Sequence, residues 1–411
     1  MSLKTIDTAF EGNAMPVFKE VKLKEIVTDN CLGGNYQCVE YVTPLPVIKM
    51  GNLGRGTITL EKMEYVSDGK ILSNRDVLKK KDILLNTRNT LDLVGKVAMW
   101  RGELEYSVFN SNIMRITFST NVLNEYMNYY FNSYSALKQL RSRATGTTSV
   151  AAIYWRDCQN IRIPLPSLSE QKAIVALLST WDIVIEKTER LVQTKERQKL
   201  GELHSRISRK KANSTIGTFA KPVVRKVDKP EESYIALGIR SHFKGTFKRL
   251  VEDPKTVNMD SLFRVKENDL IVNITFAWEG AIALVKKEDE ECYVSHRFPT
   301  YEIKRSKAEP CFIRQLIMSS RMKYDLSNIS PGGAGRNRVL NKKDFLKMPI
   351  WLPDLETQKN IGEYLGAIDN EIDLLKQLAE KYKTQKHGLM QKMLTGEWRI
   401  KPEIVNQYME A

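Results

Sequence analysis

The sequence contains little that supports a disulfide framework, a zinc site or a membrane location. Its five cysteines are scattered and form no Cys-x-x-Cys pair, which argues against disulfide bonding and thiolate zinc binding. The longest apolar run extends from Ala173 to Leu178, far short of a membrane span. The first residues lack the basic-then-apolar pattern of a signal peptide. We therefore expect a cytoplasmic protein that has no membrane partner.

Motifs for catalysis and cofactor binding are also missing. The sequence has no Pro-Pro pair, so the Asn/Asp-Pro-Pro-aromatic loop of amino-methyltransferases is absent. Residues 51–57 contain two glycines at phosphate-loop spacing, but Thr57 occupies the position of the essential lysine, so a plain turn is the better interpretation. The four histidines show no metal-ligand spacing. We expect no catalytic residue, no metal ligand and no cofactor site in this chain.

Positive charge, in contrast, is abundant. The chain has 64 Lys and Arg against 49 Asp and Glu, a formal net charge of +15. Lysines and arginines that displace counterions from phosphates drive nucleic-acid binding, so the excess favours a polyanionic partner. The same charge would also suit a surface that serves only solubility.

An internal repeat organises the chain. Residues 163–174 return 187 positions later as residues 350–361, and this register holds without a gap for about forty residues. Upstream, residues 82–86 match residues 269–273 at the same spacing. The chain is therefore two copies of one unit, each a globular part followed by a helix, and the globular parts differ more than the helices do.

Each copy ends in a predicted long helix. Pro166 followed by Ser167 and Glu170 gives the first helix a capping-box start, and Pro353-Asp354 plays the same part in the second. Each predicted helix carries an apolar stripe: Ile174, Leu178, Trp181, Ile185 and Val192 in the first, and Ile361, Leu365, Ile368, Ile372, Leu375, Ala379 and Tyr382 in the second, where Leu389 and Met393 continue the spacing up to Gly396. Such stripes are common in ordinary helix packing, but two matching stripes in one chain favour a coiled coil between the helices.

The globular parts alternate short β-rich runs with turns. We predict strands at 83–86 and 270–273, neighbouring strands at 97–100 and 282–285, and single helices at 123–140 and 311–326. The resulting fold class is α+β, with two similar domains that are each followed by a long helix. The predicted boundaries are 1–162 and 212–349 for the domains, 163–211 and 350–400 for the helical segments, and 401–411 for a C-terminal tail.

This layout resembles the specificity subunits of type I restriction–modification enzymes. The motif Pro-Leu-Pro-x-Leu-x-Glu-Gln-Lys-x-Ile at residues 164–174 and its partial copy Leu-Pro-x-Leu-x-x-Gln-Lys-x-Ile at 352–361 carry the resemblance. Residues 391–399 are similar to the usual end of the second helix in that family. One departure is that the first helix ends in residues 208–211 without the Leu-Thr-Gly of that ending.

The resemblance implies two similar target-recognition domains separated by two long antiparallel helices that form a coiled coil. Each domain would read one half of a bipartite double-stranded DNA target. The helices would set the gap between the halves and dock two methyltransferase subunits, and restriction subunits would complete the complex. Methylation of adenine from S-adenosylmethionine, and cleavage that depends on ATP and magnesium, would belong to those partners. Two alternatives are a coiled-coil scaffold that joins two protein-binding domains, and an enzyme fused to a recognition module, against which the missing motifs argue.

Candidate DNA-binding residues lie in basic segments and at strand ends. Residues 138–156 contain four cations, no acid and a Gly-Thr-Thr-Ser stretch, whose amides and hydroxyls suit phosphates while the arginines suit phosphates or guanine edges. A solvated basic loop, or a turn cap in the case of the asparagines, is the alternative. The candidates are Asn86, Arg88, Lys138, Arg141, Arg143 and Thr147 in the first copy, and Asn273, Thr275, Arg297, Arg321, Arg336, Arg338 and Lys342 in the second.

Overall fold

The computed structural model describes residues 10–12, 18–147, 149–332 and 338–409. The chain divides into two compact units. Unit 1 comprises Met1–Lys187 and Ala379–Ala411, and unit 2 comprises Thr188–Leu378. Each unit therefore contains one globular part and a segment of both long helices.

The two long helices are Leu168–Leu203, which a π-helical turn at His204–Ser208 continues, and Leu355–Thr395. Both begin directly after the predicted caps, since Ser167 accepts from the amide of Glu170 (3.3 Å) and Asp354 from the amide of Thr357 (2.9 Å). The first residues of the predicted helical segments instead belong to the short strands Arg162–Leu165 and Pro349–Ile350, because the prolines there disfavour helical backbone in the residue before them. Gly396 follows the second helix with φ of +79° and ends it as predicted.

Within each unit the two helix segments run antiparallel, because ascending residue numbers on one helix meet descending numbers on the other. The predicted seam is buried in both units: Ile174, Leu178, Leu389 and Met393 lie in the core of unit 1, and Ile361, Leu365, Ile368 and Ile372 in that of unit 2. Ion pairs between the helices include Asp182–Lys386 in unit 1 and Lys195–Glu371, Glu196–Lys376 and Lys199–Asp369 in unit 2, and Glu170 pairs with Arg399 of the strand Trp398–Ile400.

The globular part of unit 1 is built on small sheets, and its central strands are the predicted ones. One antiparallel sheet has the order Val27–Leu32, Ile113–Phe118, Ile83–Asn86, Val97–Met99; a second has the order Val108–Phe109, Pro46–Ile48, Glu64–Val66, Cys38–Val39; a third has the order Thr145–Gly146, Ala151–Ala152, Arg88–Asn89. Two-stranded pairs join Lys19–Lys22 to Arg162–Leu165 and Phe10–Gly12 to Trp398–Ile400. Short helices occur at Leu23–Ile26, Asn74–Asp76, Trp155–Cys158 and Pro402–Asn406.

The globular part of unit 2 contains a matching sheet whose predicted strands also pair. This sheet has the order Ala220–Val223, Thr300–Ile303, Leu270–Val272, Ile282–Leu284, and a larger one has the order Lys226–Asp228, Ser261–Arg264, Tyr293–Val294, Tyr234–Ile239, Thr246–Val251. Ser214–Thr215 pairs with Pro349–Ile350. Short helices occur at Ile216–Thr218, Pro254–Thr256, Ala277–Glu279, Lys287–Asp289 and Lys342–Lys347.

The single helices predicted at 123–140 and 311–326 were wrong, because each is two short helices. They are Asn124–Phe131 and Tyr134–Arg141 in unit 1, and Pro310–Ile317 and Ser320–Asn328 in unit 2. A serine starts each second helix: the hydroxyl of Ser133 accepts from the amide of Ala136, and that of Ser319 from the amide of Met322.

Across the described parts of the chain, no helix combines the length and apolarity that a membrane crossing requires.

Candidate nucleic-acid interface

In unit 1 a buried asparagine holds the turn that presents Arg88. Asn86 ends a strand of the central sheet and is fully buried. Its side-chain oxygen accepts a hydrogen bond from the amide of Arg88 (3.1 Å), whereas its amide nitrogen finds no acceptor among the described residues. The side chain of Arg88 is exposed. In this conformation Asn86 caps the turn, and Arg88 is the residue of this pair that a ligand can reach.

The strands Thr145–Gly146 and Ala151–Ala152 form a hairpin beside this turn, and Thr148 of the Gly-Thr-Thr-Ser stretch lies outside the described residues. Thr145–Gly146 pairs with Ala151–Ala152, which in turn pairs with Arg88–Asn89. Gly146 has φ of +127°, and a Cβ atom there would lie 2.3 Å from the carbonyl oxygen of Val150, so the hairpin requires glycine. Thr147 is exposed, and its hydroxyl accepts from the amide of Val150 (3.2 Å). The structure thus brings Arg88 and Thr147, which are distant in sequence, onto one small sheet.

The basic residues just before the hairpin differ in their availability. Lys138 and Arg141 are exposed on the helix Tyr134–Arg141. Arg143 is partly buried, and its guanidinium donates to the carbonyl oxygen of Gln139 (2.8 Å). Lys138 and Arg141 can therefore meet phosphates directly, while Arg143 is already engaged in ending its helix.

Arg55 is a further cation at this location that the sequence analysis did not select. It lies in the glycine-containing segment interpreted as a plain turn, and its side chain is exposed. Desolvation and the neighbouring charge of Arg141 lower the pKa of the Arg55 guanidinium. The Arg55 guanidinium donates to the carbonyl oxygen of Asp92 (3.5 Å), and its positive charge adds to that of Arg141 nearby. No sequence signal links positions so far apart.

Unit 2 repeats the turn, but the partly buried Thr275 occupies the position of the exposed Arg88. The side-chain oxygen of Asn273 accepts from the amide of Thr275 (3.0 Å), as Asn86 does from Arg88. The next contact is also duplicated: the amide of Leu340 donates to the carbonyl of Ile274 (2.8 Å). In unit 1 the amide of Ile153 donates to the carbonyl of Thr87 (2.9 Å). Both pairs are related by the 187-residue repeat, so the two units share one framework around this turn.

The other candidates of unit 2 differ in whether their side chains already contact other protein groups. Arg338 donates to the carbonyl oxygens of Ser327 (2.7 Å) and Ser330 (3.0 Å) and stacks on Trp278, so its contacts are structural. Arg321 is exposed and pairs with Asp325 (2.7 Å), one helical turn away. Arg297 and Lys342 are exposed, and Arg336 lies outside the described residues.

In each unit a buried glutamine of a long helix binds the start of a short helix in the globular part. In unit 1 the side chain of Gln171 accepts from the amide of Leu123 (2.9 Å) and donates to the carbonyls of Asn121 and Pro166. In unit 2 Gln358 accepts from the amide of Glu309 (3.0 Å) and donates to the carbonyls of Lys307 and Pro353. Leu123 and Glu309 are the residues that start the helices Asn124–Phe131 and Pro310–Ile317. The Gln-Lys motif therefore fixes where each globular part joins its long helix.

A duplicated aspartate connects three elements in each unit. In unit 1 Asp182 accepts from Lys386 of the other long helix (2.5 Å) and from the hydroxyl of Tyr129 (2.6 Å). In unit 2 Asp369 accepts from Lys199 of the other long helix and from the amide group of Gln315 (2.9 Å). The aspartates and the lysines are each 187 residues apart. The ungapped repeat makes these positions equivalent, but equivalence in sequence does not identify their contact partners.

Comparison with known proteins identifies the family. The family model for the type I restriction modification DNA specificity domain matches residues 17–195 and 234–383. A protein of Methanocaldococcus jannaschii named for the MjaX type I restriction enzyme specificity subunit is 25% identical over 388 residues, which are 87% of this chain and 88% of that protein. The type I restriction enzyme MjaVIII specificity subunit of the same organism is 24% identical over 375 residues, 82% of this chain and 85% of that protein.

Solved structures share the fold at low sequence identity. The type I restriction–modification S subunit from M. genitalium superposes with a TM-score of 0.57 at 13% identity, covering 93% of this chain and 98% of that chain. A chain from a study of assembly and conformational transition of the type I restriction–modification system gives 0.57 at 15% identity, covering 94% and 100%.

The fold and the repeated framework define a protein of two equivalent α+β units that share a pair of long antiparallel helices. The chain belongs to the type I restriction–modification DNA specificity family and is a specificity subunit with DNA recognition domains.

Proposed function

We propose that this chain is the non-catalytic subunit that reads a bipartite DNA target for a type I restriction–modification complex. The supporting observation is that one framework presents different residues in the two units. Asn86 and Asn273 make the same turn contact, yet Arg88 follows in unit 1 and Thr275 in unit 2. Arginine and threonine make different contacts with base edges, so each unit reads its own half of the target.

The rest of the complex supplies the chemistry. The long helices dock two methyltransferase subunits, one for each copy of the repeat, and restriction subunits join that assembly. S-adenosylmethionine, ATP and magnesium bind to those partners. A family resemblance over both units supports this arrangement, since the chain matches the specificity domain twice.

Selection from a random duplex library, followed by gel shift with and without the methyltransferase subunit, tests the proposal. We expect an enriched motif in two separated halves, with an affinity that falls as salt rises because phosphate contacts release counterions. A scaffold for protein partners would show no salt-sensitive DNA affinity. An enzyme fused to a recognition module would modify the selected DNA without a partner.

A further inference from the structure

Unit 2 contains a cavity of about 450 Å³ between its two larger sheets and the helix Lys342–Lys347. This volume falls within the range of about 300–1,000 Å³ that is usual for small-molecule sites. Aromatic rings, prolines and valines form most of its wall. The lining includes Pro222, Val223, Val224, Phe263, Phe298, Pro299 and Tyr301, with Arg225, Arg264, His296, Lys342 and Lys343 as its basic members.

Tyr301 contributes a polar group to this apolar wall. The residue is 2% exposed, and its ring packs on Phe345 with centroids 5.2 Å apart. Its hydroxyl has no hydrogen-bond partner among the described residues. Burial raises the pKa of Tyr301 to about 12, so the phenol stays protonated at neutral pH and can donate. Tyr301 lines the cavity, so its unpartnered hydroxyl is available to donate to an acceptor atom of a ligand there.

The cations around the cavity are of two kinds. Arg225 is paired with Asp269, and Arg264 with Glu291, so their charges are balanced within unit 2. Lys342 and Lys343 are exposed, and neither forms an ion pair with a described residue. These two lysines are free to bind an anionic group at the edge of the cavity.

The cavity adjoins the candidate DNA-contacting turn of unit 2. The amide of Ile274, between Asn273 and Thr275, donates to the carbonyl of Arg297 (3.1 Å). Phe298, Pro299 and Tyr301 follow directly along the chain and line the cavity. A nucleic acid that contacts this turn would therefore lie close to the cavity.

We propose that this cavity binds a nucleotide, with its base against the aromatic wall and its phosphate on Lys342 and Lys343. Aromatic side chains stack on bases of any sequence, and a flat base leaves edge acceptors for the Tyr301 hydroxyl. A free nucleotide and an extrahelical nucleotide of bound DNA share this chemistry. Binding of an extrahelical nucleotide rests on the proposed function, whereas binding of a free nucleotide does not.

Binding of a free nucleotide is tested with the full chain and 2-aminopurine deoxynucleoside 5′-monophosphate, whose fluorescence falls on stacking. We expect saturable quenching that Phe298→Ala weakens about tenfold and Tyr301→Phe about fivefold, as lost stacking and one lost hydrogen bond require. Lys342→Ala with Lys343→Ala should weaken the monophosphate and leave the uncharged nucleoside unchanged. The exposed residues Tyr324 and Lys244 supply the controls Tyr324→Phe and Lys244→Ala.

A second arm places single 2-aminopurines along a duplex that the protein binds by fluorescence anisotropy. A change in emission at one position that Tyr301→Phe reduces assigns the site to an extrahelical nucleotide. Quenching of the free nucleotide with no change at any duplex position assigns it to free nucleotides. If the chain binds duplex but neither arm responds, the cavity is not a nucleotide site and the proposed function stands. If no duplex binds, the proposed function fails and the free-nucleotide arm alone decides the cavity.

Discussion

At the scale of residues, Arg88 is the exposed side chain of unit 1 whose substitution tests base reading most directly. Arg88→Ala should weaken binding to the target by about 1–3 kcal/mol, the value of a good base contact, and relax specificity at one position. Lys138→Ala should instead weaken all sequences and lower the salt slope by about one. Titrations at several salt concentrations separate the two effects. Lys70→Ala, which removes a charge elsewhere in unit 1, is the control, and an equal loss there would refute the assignment.

Gln171 should contribute far more to stability than an exposed glutamine of the same helix does. Gln171→Ala leaves the amide of Leu123 and two carbonyls without partners, which should lower the free energy of unfolding by about 2–3 kcal/mol. Gln198 belongs to the same helix and is exposed, so Gln198→Ala should change the free energy of unfolding little. Urea denaturation followed by tryptophan fluorescence measures both variants. Equal stability of the two would show that the buried hydrogen bonds do not anchor the domain.

The candidate site was predictable from sequence only in part. Basic composition and the repeat located the hairpin of unit 1 and the turns after the central strands. Composition does not reveal that Asn86 is buried as a cap or that Arg338 is engaged by carbonyls, because those roles depend on tertiary hydrogen bonds. Arg55 was missed for the same reason, since only folding brings it near Arg141.

At the scale of elements, the Lys199–Asp369 pair should couple the two long helices in unit 2. Lys199 is largely buried, so removing one partner leaves a poorly solvated charge. A double-mutant cycle with Lys199→Met and Asp369→Asn should give a coupling of about 1–3 kcal/mol. The exposed pair Lys359–Glu363 on one helix should give close to zero in the matching cycle. Similar couplings for both pairs would rule out a special role for the interhelical one.

Helix length should set the gap between the two halves of the target. One heptad inserted into each long helix, between Ile185 and Leu203 and between Leu375 and Leu389, adds about 10 Å and keeps the seams in register. We expect the preferred gap to grow by about one to three base pairs, at roughly 3.4 Å each, with unchanged half-sites. Sequencing of methylated sites reads the gap. Full activity at the original gap alone would show that the helices do not measure it.

Elements were more predictable than contacts. Apolar periodicity over several turns predicts a helix and the face that it buries, so both long helices and the buried parts of their seams were predicted. The short helices were harder, because Ser133 and Ser319 break an apolar pattern that continues through them. The five-stranded sheet of unit 2 was not predicted, since its edge strand Thr246–Val251 has four exposed residues in succession and lacks the alternation of a half-buried strand.

At the scale of the whole molecule, the chain alone should leave DNA chemically unchanged. Purified protein incubated with labelled S-adenosylmethionine and target DNA should transfer only background label, and addition of the methyltransferase subunit should restore transfer. The reason is that we assign methyl transfer to the partner and target reading to this chain. Stoichiometric transfer by the chain alone would require an active site that the proposal excludes.

The most direct test of the account is an exchange of one recognition domain. Residues 212–349 would be replaced by the equivalent part of a relative, with both long helices kept, and methylated sites would be sequenced from cells that also carry the methyltransferase subunit. Because the two units share a framework and carry different residues on it, one half of the target should change while the other half stays the same. A change in both halves at once would contradict the claim that each unit reads its own half.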